Sequence, residues 1–262
     1  FNRETDNTTP GIESIYRILD EFVKAGCKYV AMETSSEAFY YGRLKNFHFR
    51  VGGLTNIDKE HLNTHKTLEN YINCKKMLFK QSDMSVLNKN DKHFDEVVKD
   101  ITNYKTYGYS EDNDLYIKDY EVKPNCTLIT YIVNDEEVKV KSPLLGQFNI
   151  ENLSCALLIG MSLGFDLYHL LRNIDKLSIS GRMNSINLGQ DFYVLVDYAH
   201  TPNGLARLFE FTNKLEVNKK IVVTGNAGER DASKRKYVGK LCADNNDHVI
   251  FTYEDPRYED PY

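Results

Sequence analysis

Four side chains able to hold a cation or move a proton crowd into TNIDKEHLNTH, residues 55–65: Asp58, Glu60, His61 and His65. The segment follows an apolar run, VGGLTN (51–56), that reads as a strand. Ligands of open α/β sheets bind beyond the carboxyl ends of strands. Upstream, KYVAME (28–33) reads as another buried strand and ends on Glu33. A carboxylate there is costly to bury unless it is paired or binds a cation. If the two strands are neighbours, Glu33 and His61 face one crevice. Carboxylate, imidazole and water can then hold Mg²⁺ beside phosphates, although that ion favours oxygen. The plainer readings are a strand-end carboxylate capping the next turn and an exposed histidine. Glu60 and His65 are expected to stay solvated or to cap the following helix. Lys75 and Lys76 lie on that helix, where one can point toward the crevice and both can equally be surface cations.

Three further clusters carry polar chemistry. Asn149 and Asn152 stand in the first turn of a very apolar helix. Side-chain amides suit a base edge, but capping by Asn149 is the simpler use. Asp197, Tyr198 and His200 sit at the end of a strand in VLVDYAHTPNG, just before Pro202 opens a helix. That trio suits acid–base work or ribose binding, and a capped turn is the alternative. TGNAGERDASKR (224–235) is a polar, glycine-containing loop between strand and helix. Backbone N–H groups at such a helix start favour anions. It is not a Walker A loop, for no GKT or GKS occurs in the chain.

These residues need elements to position them. Apolar spacing predicts helices over 12–25, 67–80, 149–164, 203–215 and 233–245. Strands are expected at 28–33, 51–56, 84–88, NSINL, FYVLVDY, KIVVTG and HVIFTY. Alternation of strand and helix predicts parallel sheet with right-handed crossovers. LYIKDYEV (115–122) and 126–142 alternate with period two around a turn and read as antiparallel hairpins in a small side sheet. The expected class is α/β: a mostly parallel central domain over 1–178, then a Rossmann-like domain over 179–262, with the boundary between about 176 and 182.

The totals exclude several function classes. The chain has 262 residues, a net charge of −5 and a pI near 5.8, which argues against nonspecific nucleic-acid binding. No apolar run is long enough for a bilayer, and the start, FNRETDNTTP, lacks a signal-peptide apolar region. The five cysteines are scattered without CxxC spacing, which fits unpaired thiols in a reducing compartment. The missing initiator Met and the ending YEDPRYEDPY point to a fragment.

In this order, NTTP, METSSEAFYYGR, TNIDKEHLNTHKTLENYINCKKMLF, LLGQFNIEN, SGRM, VDYAHTPNG, TGNAGERDASKR and YEDPRYEDP closely resemble the blocks of the Mur ligases. Among these, the match is to enzymes that extend a UDP-N-acetylmuramoyl-dipeptide by one amino acid. The resemblance covers nearly the whole chain apart from 90–140. It implies an ATP-dependent amide ligase of peptidoglycan synthesis. Such an enzyme adds meso-diaminopimelate, with L-lysine as the alternative, to UDP-MurNAc-L-Ala-D-Glu through an acyl phosphate. ATP and Mg²⁺ are the implied cofactors. A cytoplasmic monomer with no nucleic-acid or membrane partner is implied as well.

Carried over by motif position, Glu33 and His61 would be Mg²⁺ ligands, and Lys75 matches the lysine that the family carbamylates. A carbamate turns a cation into an anionic oxygen ligand for a second Mg²⁺. Asn7, Thr8, Thr9, Ser35 and Arg43 match residues that hold the nucleotide-sugar peptide. Asn152 would read adenine, Arg182 phosphate and Asp197 the ribose, with Tyr198 and His200 lining the nucleotide site. Arg257 matches the arginine of the DNPR motif that selects diaminopimelate. Two departures stand out. SSHAL of the family reads SSEAF here, so Glu37 replaces a histidine and adds negative charge near the substrate. DNPR reads Glu254-Asp255-Pro256-Arg257. Arg257 favours a carboxylate, whereas Asp255 repels one and favours an ammonium. The family's GKT phosphate loop would lie upstream, and so this stretch alone is expected to be inactive. Folylpolyglutamate-type or cyanophycin-type ligases are less well matched by NTTP and DYAHTP. A degenerate Mur-like protein that only binds is the non-catalytic alternative.

Overall fold

In the computed structural model, residues 8–58, 62–229 and 232–260 are described. Asn7, Glu60 and His61, three of the residues singled out above, lie outside them. The chain divides into two units. The first holds residues 1–119, 130–140 and 151–172, and the second holds 120–129, 141–150 and 173–262.

The first unit begins with α1 (Ile12–Lys24) and α2 (Ser36–Tyr40). Strand β1 (Phe49–Leu54) follows, then α3 (Leu62–His65), α4 (Leu68–Lys80), β2 (Ser82–Asn88), α5 (Phe94–Val98) and β3 (Tyr104–Gly108). β4 (Leu115–Val122), β5 (Thr127–Val133) and β6 (Glu136–Ser142) complete one six-stranded sheet in the order β1-β2-β3-β4-β5-β6. The pairs β1–β2, β2–β3 and β3–β4 are parallel. Central strands of parallel sheet are covered on both faces, and Val86 and Leu87 of β2 are fully buried. α4 packs Tyr71, Ile72 and Phe79 with Leu54 and Leu87 into one core. α1 and α2 bring Ile15, Ala38 and Phe39 together with Leu44 in a second cluster. α6 (Gln147–Ser162), apolar nearly all round, and α7 (Leu167–Leu171) follow. Among the described residues no helix is long and apolar enough to cross a membrane.

The α/β class with mostly parallel sheet is as expected, and two details differ. Residues 28–33 form no strand: Tyr29 and Val30 are 63% and 48% exposed, and Glu33 is exposed rather than buried. A strand needs a ladder partner for its backbone groups. The sheet order starts at β1, whose partner is β2, so nothing described pairs with KYVAME. The 115–142 strands, in turn, join the central sheet. The two-residue link Asn134-Asp135, with φ of 49° and 65°, is a primed hairpin turn. It extends the sheet edge instead of building a separate layer. The small antiparallel sheet is elsewhere: β7 (Asn184–Ile186) with β8 (Val194–Val196).

In the second unit, β8 leads to α8 (Pro202–Thr212), β9 (Ile221–Thr224), α9 (Arg235–Asn245) and β10 (His248–Phe251). β9 and β10 are parallel neighbours. Leu205 and Phe209 of α8 and Val238 and Cys242 of α9 pack on Val222 and Val249. A separate cluster joins Leu145, Met183 and Phe211.

Candidate active site

Thr9, Ser35 and Arg43, distant in sequence, meet in the first unit. Ser35 caps α2, its hydroxyl accepting from the Ala38 N–H at 3.2 Å. At the other end of α2, Gly42 adopts φ 72°, and the N–H groups of Gly42 and Arg43 return to Phe39 O and Ala38 O. This is a Schellman ending, which glycine enables by entering the left-handed region freely. It turns Arg43 back, and its guanidinium donates to Thr9 O at 2.6 Å. The Thr9 hydroxyl accepts from Ser35 N and donates to Glu33 O, both at 3.0 Å. Thr9 is wholly buried while Thr8 beside it is exposed. Thr9 is therefore a buried brace between Ser35, Glu33 and Arg43, and Thr8 is its solvent-facing neighbour.

A second pair of contacts joins α2 to α3. Thr64 Oγ1 donates to Glu37 Oε1 at 2.7 Å. Ser36 Oγ and His65 Nε2 are 2.9 Å apart, with both residues buried. The rings of Tyr40 and Tyr71 flank the imidazole. His65 is thus a core residue, not the solvated one expected. Glu37 has a local acceptor role that its substitution for histidine alone did not disclose. Sequence reading missed Ser36 and Thr64 because a lone hydroxyl carries no spacing signal.

The loop after β1 is held from β2's carboxyl end. Asn88 Nδ2 donates to Thr55 O at 2.9 Å, Ile57 N donates to Asp91 Oδ2 at 2.6 Å, and Lys92 pairs with Asp58 at 3.3 Å. The two lysines of α4 separate cleanly. Lys76 is buried and donates to Asp100 at 2.5 Å and to Glu96 O at 3.2 Å, so it serves packing. Lys75 is half-buried, its ammonium 5.2 Å from the Tyr71 ring centre. Among the described residues no three His, Cys, Asp or Glu side chains gather tightly enough for a metal. The Glu33 carboxylate is exposed, and an ammonium such as that of Lys75 repels a cation.

Asn152 stands half-buried on α6, and Asn149, fully buried, donates to Leu145 O at 2.7 Å. That bond ties Asn149, the third residue of α6, back to the segment before the helix; it is not the expected cap, which would accept from a backbone N–H. In the second unit, the Asp197 carboxylate takes the N–H of Met183 on one oxygen and of Ala199 on the other, each at 2.8 Å. It fastens the loop after β8 to the segment before β7. The Arg182 guanidinium lies 5.1 Å over the Tyr198 ring, and that ring meets His200 edge-on at 5.0 Å. Tyr198, His200 and Arg182 are exposed. Lys234, ahead of α9, donates to His200 O at 3.0 Å.

The loops after β9 and β10 lie against each other. Gly228 N donates to Asp255 O at 2.7 Å. Arg257 has φ 52°, and its Nε is 3.5 Å from Asp255. Glu259 takes the Glu229 N–H at 2.7 Å and the Arg235 guanidinium at 2.6 Å. Neither Arg235 nor Glu259 was foreseen; they lie 24 positions apart. A cavity of about 630 Å³ lies between β8, α8 and β9, lined by Tyr193, Leu205, Phe209 and Val222 among others. Of the expected site residues it includes Asp197 alone.

A parallel α/β core with polar loops at the carboxyl ends of its strands is the arrangement in which open α/β sheets bind ligands. Residues 1–160 match the Mur ligase middle domain and residues 181–262 the Mur ligase glutamate ligase domain. The chain belongs to the Mur ligase family. It is similar to the UDP-N-acetylmuramoyl-L-alanyl-D-glutamate–2,6-diaminopimelate ligase of Trichormus variabilis, with 33% identity over 270 residues. That match covers 100% of this chain and 54% of the relative. The Clostridium tetani ligase of the same name is 33% identical over 260 residues, covering 97% of this chain and 53% of its own. A solved structure of a ligase with this name superposes with a TM-score of 0.75 at 31% identity, covering 97% of this chain and 54% of that one. The chain therefore spans about half the length of the relatives it matches.

Proposed function

We propose that the protein carrying this chain is an ATP-dependent amide ligase that adds meso-diaminopimelate to UDP-MurNAc-L-Ala-D-Glu, the MurE reaction of peptidoglycan synthesis. The observation that carries this reading is the one-third identity to ligases of that name across the whole chain. Residues 1–178 serve as the central catalytic domain and 179–262 as the amino-acid-binding domain. ATP phosphorylates the dipeptide's terminal carboxylate, the incoming amine attacks the acyl phosphate, and phosphate leaves as the amide forms. Positioning and electrostatics supply most of the rate in such transfers. Thr8, Ser35 and Arg43, with Asn7, take the nucleotide-sugar peptide, and Thr9 braces them from below. Asn152, Arg182, Asp197, Tyr198 and His200 serve the nucleotide. Glu33, His61 and carbamylated Lys75 would hold Mg²⁺, which neutralises charge on the transferring phosphoryl group. Arg257 receives the distal carboxylate of diaminopimelate, and Asp255 faces its ammonium. The protein works as a monomer in the cytoplasm.

The test follows phosphate release by the whole protein with ATP, Mg²⁺ and UDP-MurNAc-L-Ala-D-Glu. Release on adding meso-diaminopimelate supports the reading. Release with L-lysine alone keeps the ligase and makes Asp255 the discriminating residue. No release with either overturns it.

A further inference from the structure

We propose that Arg235 and Glu259 form a latch that positions the Asp255–Arg257 turn and so governs affinity for the incoming amino acid. The inference rests on the ligase reading above. β9 and β10 run parallel, so the loops that follow them leave the sheet at the same end. Backbone contacts bring the loops together: Thr252 N donates to Thr224 O at 2.9 Å and Gly228 N to Asp255 O at 2.7 Å. There is no room between them, for a Cβ at Gly225 would lie 2.6 Å from Thr252 O and one at Gly228 2.0 Å from Pro256 O.

Past this backbone seam, one carboxylate fastens the far side of the turn. Glu259 spends one oxygen on the Glu229 N–H and the other on Arg235. Both side chains are a little over one-third exposed. Charge-assisted bonds of this kind are shorter and stronger than neutral ones. Arg235 opens α9, a helix anchored in the core through Val238 and Cys242. The pair thus ties a loop to a rigid element. Between the two ends of the seam sits Arg257 in the left-handed region, a conformation that persists for a non-glycine residue where its surroundings hold it. Glu259 N donates to Pro256 O at 3.0 Å, completing the turn around Arg257. Arg235 and Glu259 are positioning residues: they act through Arg257.

The experiment measures phosphate release by the whole protein, wild type against Glu259→Gln and, as a second variant, Arg235→Met. The expected result is a KM for diaminopimelate raised about tenfold, the equivalent of one lost interaction of about 1.4 kcal/mol, with the KM values for ATP and UDP-MurNAc-dipeptide within about twofold. Hydrogen exchange at the Glu229 amide is expected to quicken in Glu259→Gln, a readout that needs no activity. An unchanged KM for diaminopimelate overturns the proposal. So does a parallel rise of all three KM values, which marks a general loss of structure. Wild-type protein that releases no phosphate with any amino acid overturns the ligase reading itself, and an unchanged exchange rate in that case overturns the latch as well.

Discussion

At the scale of single residues, the exposed and buried members of a motif do different work. Thr8 and Thr9 are adjacent and look equivalent, yet only Thr9 has its hydroxyl spent on Ser35 N and Glu33 O. Thr9→Val removes both bonds with almost no change of shape and leaves two backbone groups short of a partner. The expected loss is about 1–3 kcal/mol of stability, read from denaturant unfolding, together with a higher KM for the nucleotide-sugar substrate. Thr9→Ser keeps the hydroxyl and is expected to stay near wild type. A Val variant as stable and as active as the parent would show that the two bonds contribute nothing. Neighbouring lysines divide in the same way: Lys76 packs against α5, and Lys75 lies half-buried over the Tyr71 ring. Nothing in KK tells them apart, because the helix phase relative to α5 decides which ammonium meets Asp100.

At the scale of elements, the strand-end loops depend on close backbone approach. Gly228→Ala would place a methyl against the carbonyl of Pro256, a backbone atom that cannot swing aside. Overpacking of this kind costs about 1–3 kcal/mol, and the upper end is expected here, visible as a lower Tm. Retention of the parent Tm would mean that the two loops separate freely. The latch should also respond to acid. The Glu229 N–H, and then the Arg235 guanidinium, hold the Glu259 carboxyl below its ordinary value of 4.5. A depressed carboxyl stabilises the fold above its unfolded pKa and loses that contribution as pH falls through the folded value. The stability gap between wild type and Glu259→Gln is therefore expected to be constant near pH 7 and to close below about pH 4.5. A gap independent of pH would place the effect outside this carboxylate.

At the scale of the molecule, burial sorts the five thiols, all of them free. Cys27 is exposed, Cys74 is half-buried, and Cys126, Cys155 and Cys242 are buried. Burial pushes Cys155 up to about 11, and raises Cys74 and Cys242 as well. Since the thiolate is the reactive form, a disulfide-exchange reagent at neutral pH is expected to titrate Cys27 quickly, Cys74 more slowly, and the three buried thiols only on unfolding. Prompt reaction of Cys155 would show that the sheet and α6 open readily.

Much of this architecture was legible in the linear chain. Helices α1, α4, α6, α8 and α9 follow from apolar spacing, because a helix carries its own hydrogen bonds and needs only one greasy face. The family was legible as well, since its blocks are local runs such as DYAHTP. Strands depend on partners. KYVAME has strand composition and no ladder, and the 115–142 hairpins settle on the central sheet because a pairing edge, not their own alternation, assigns them a place. The same limit applies to the site. Which residue types are present is a property of sequence. That Arg43 reaches Thr9, that His65 is buried against Ser36, and that Glu259 meets Arg235 depend on packing between distant segments, which leaves no periodic trace in the chain.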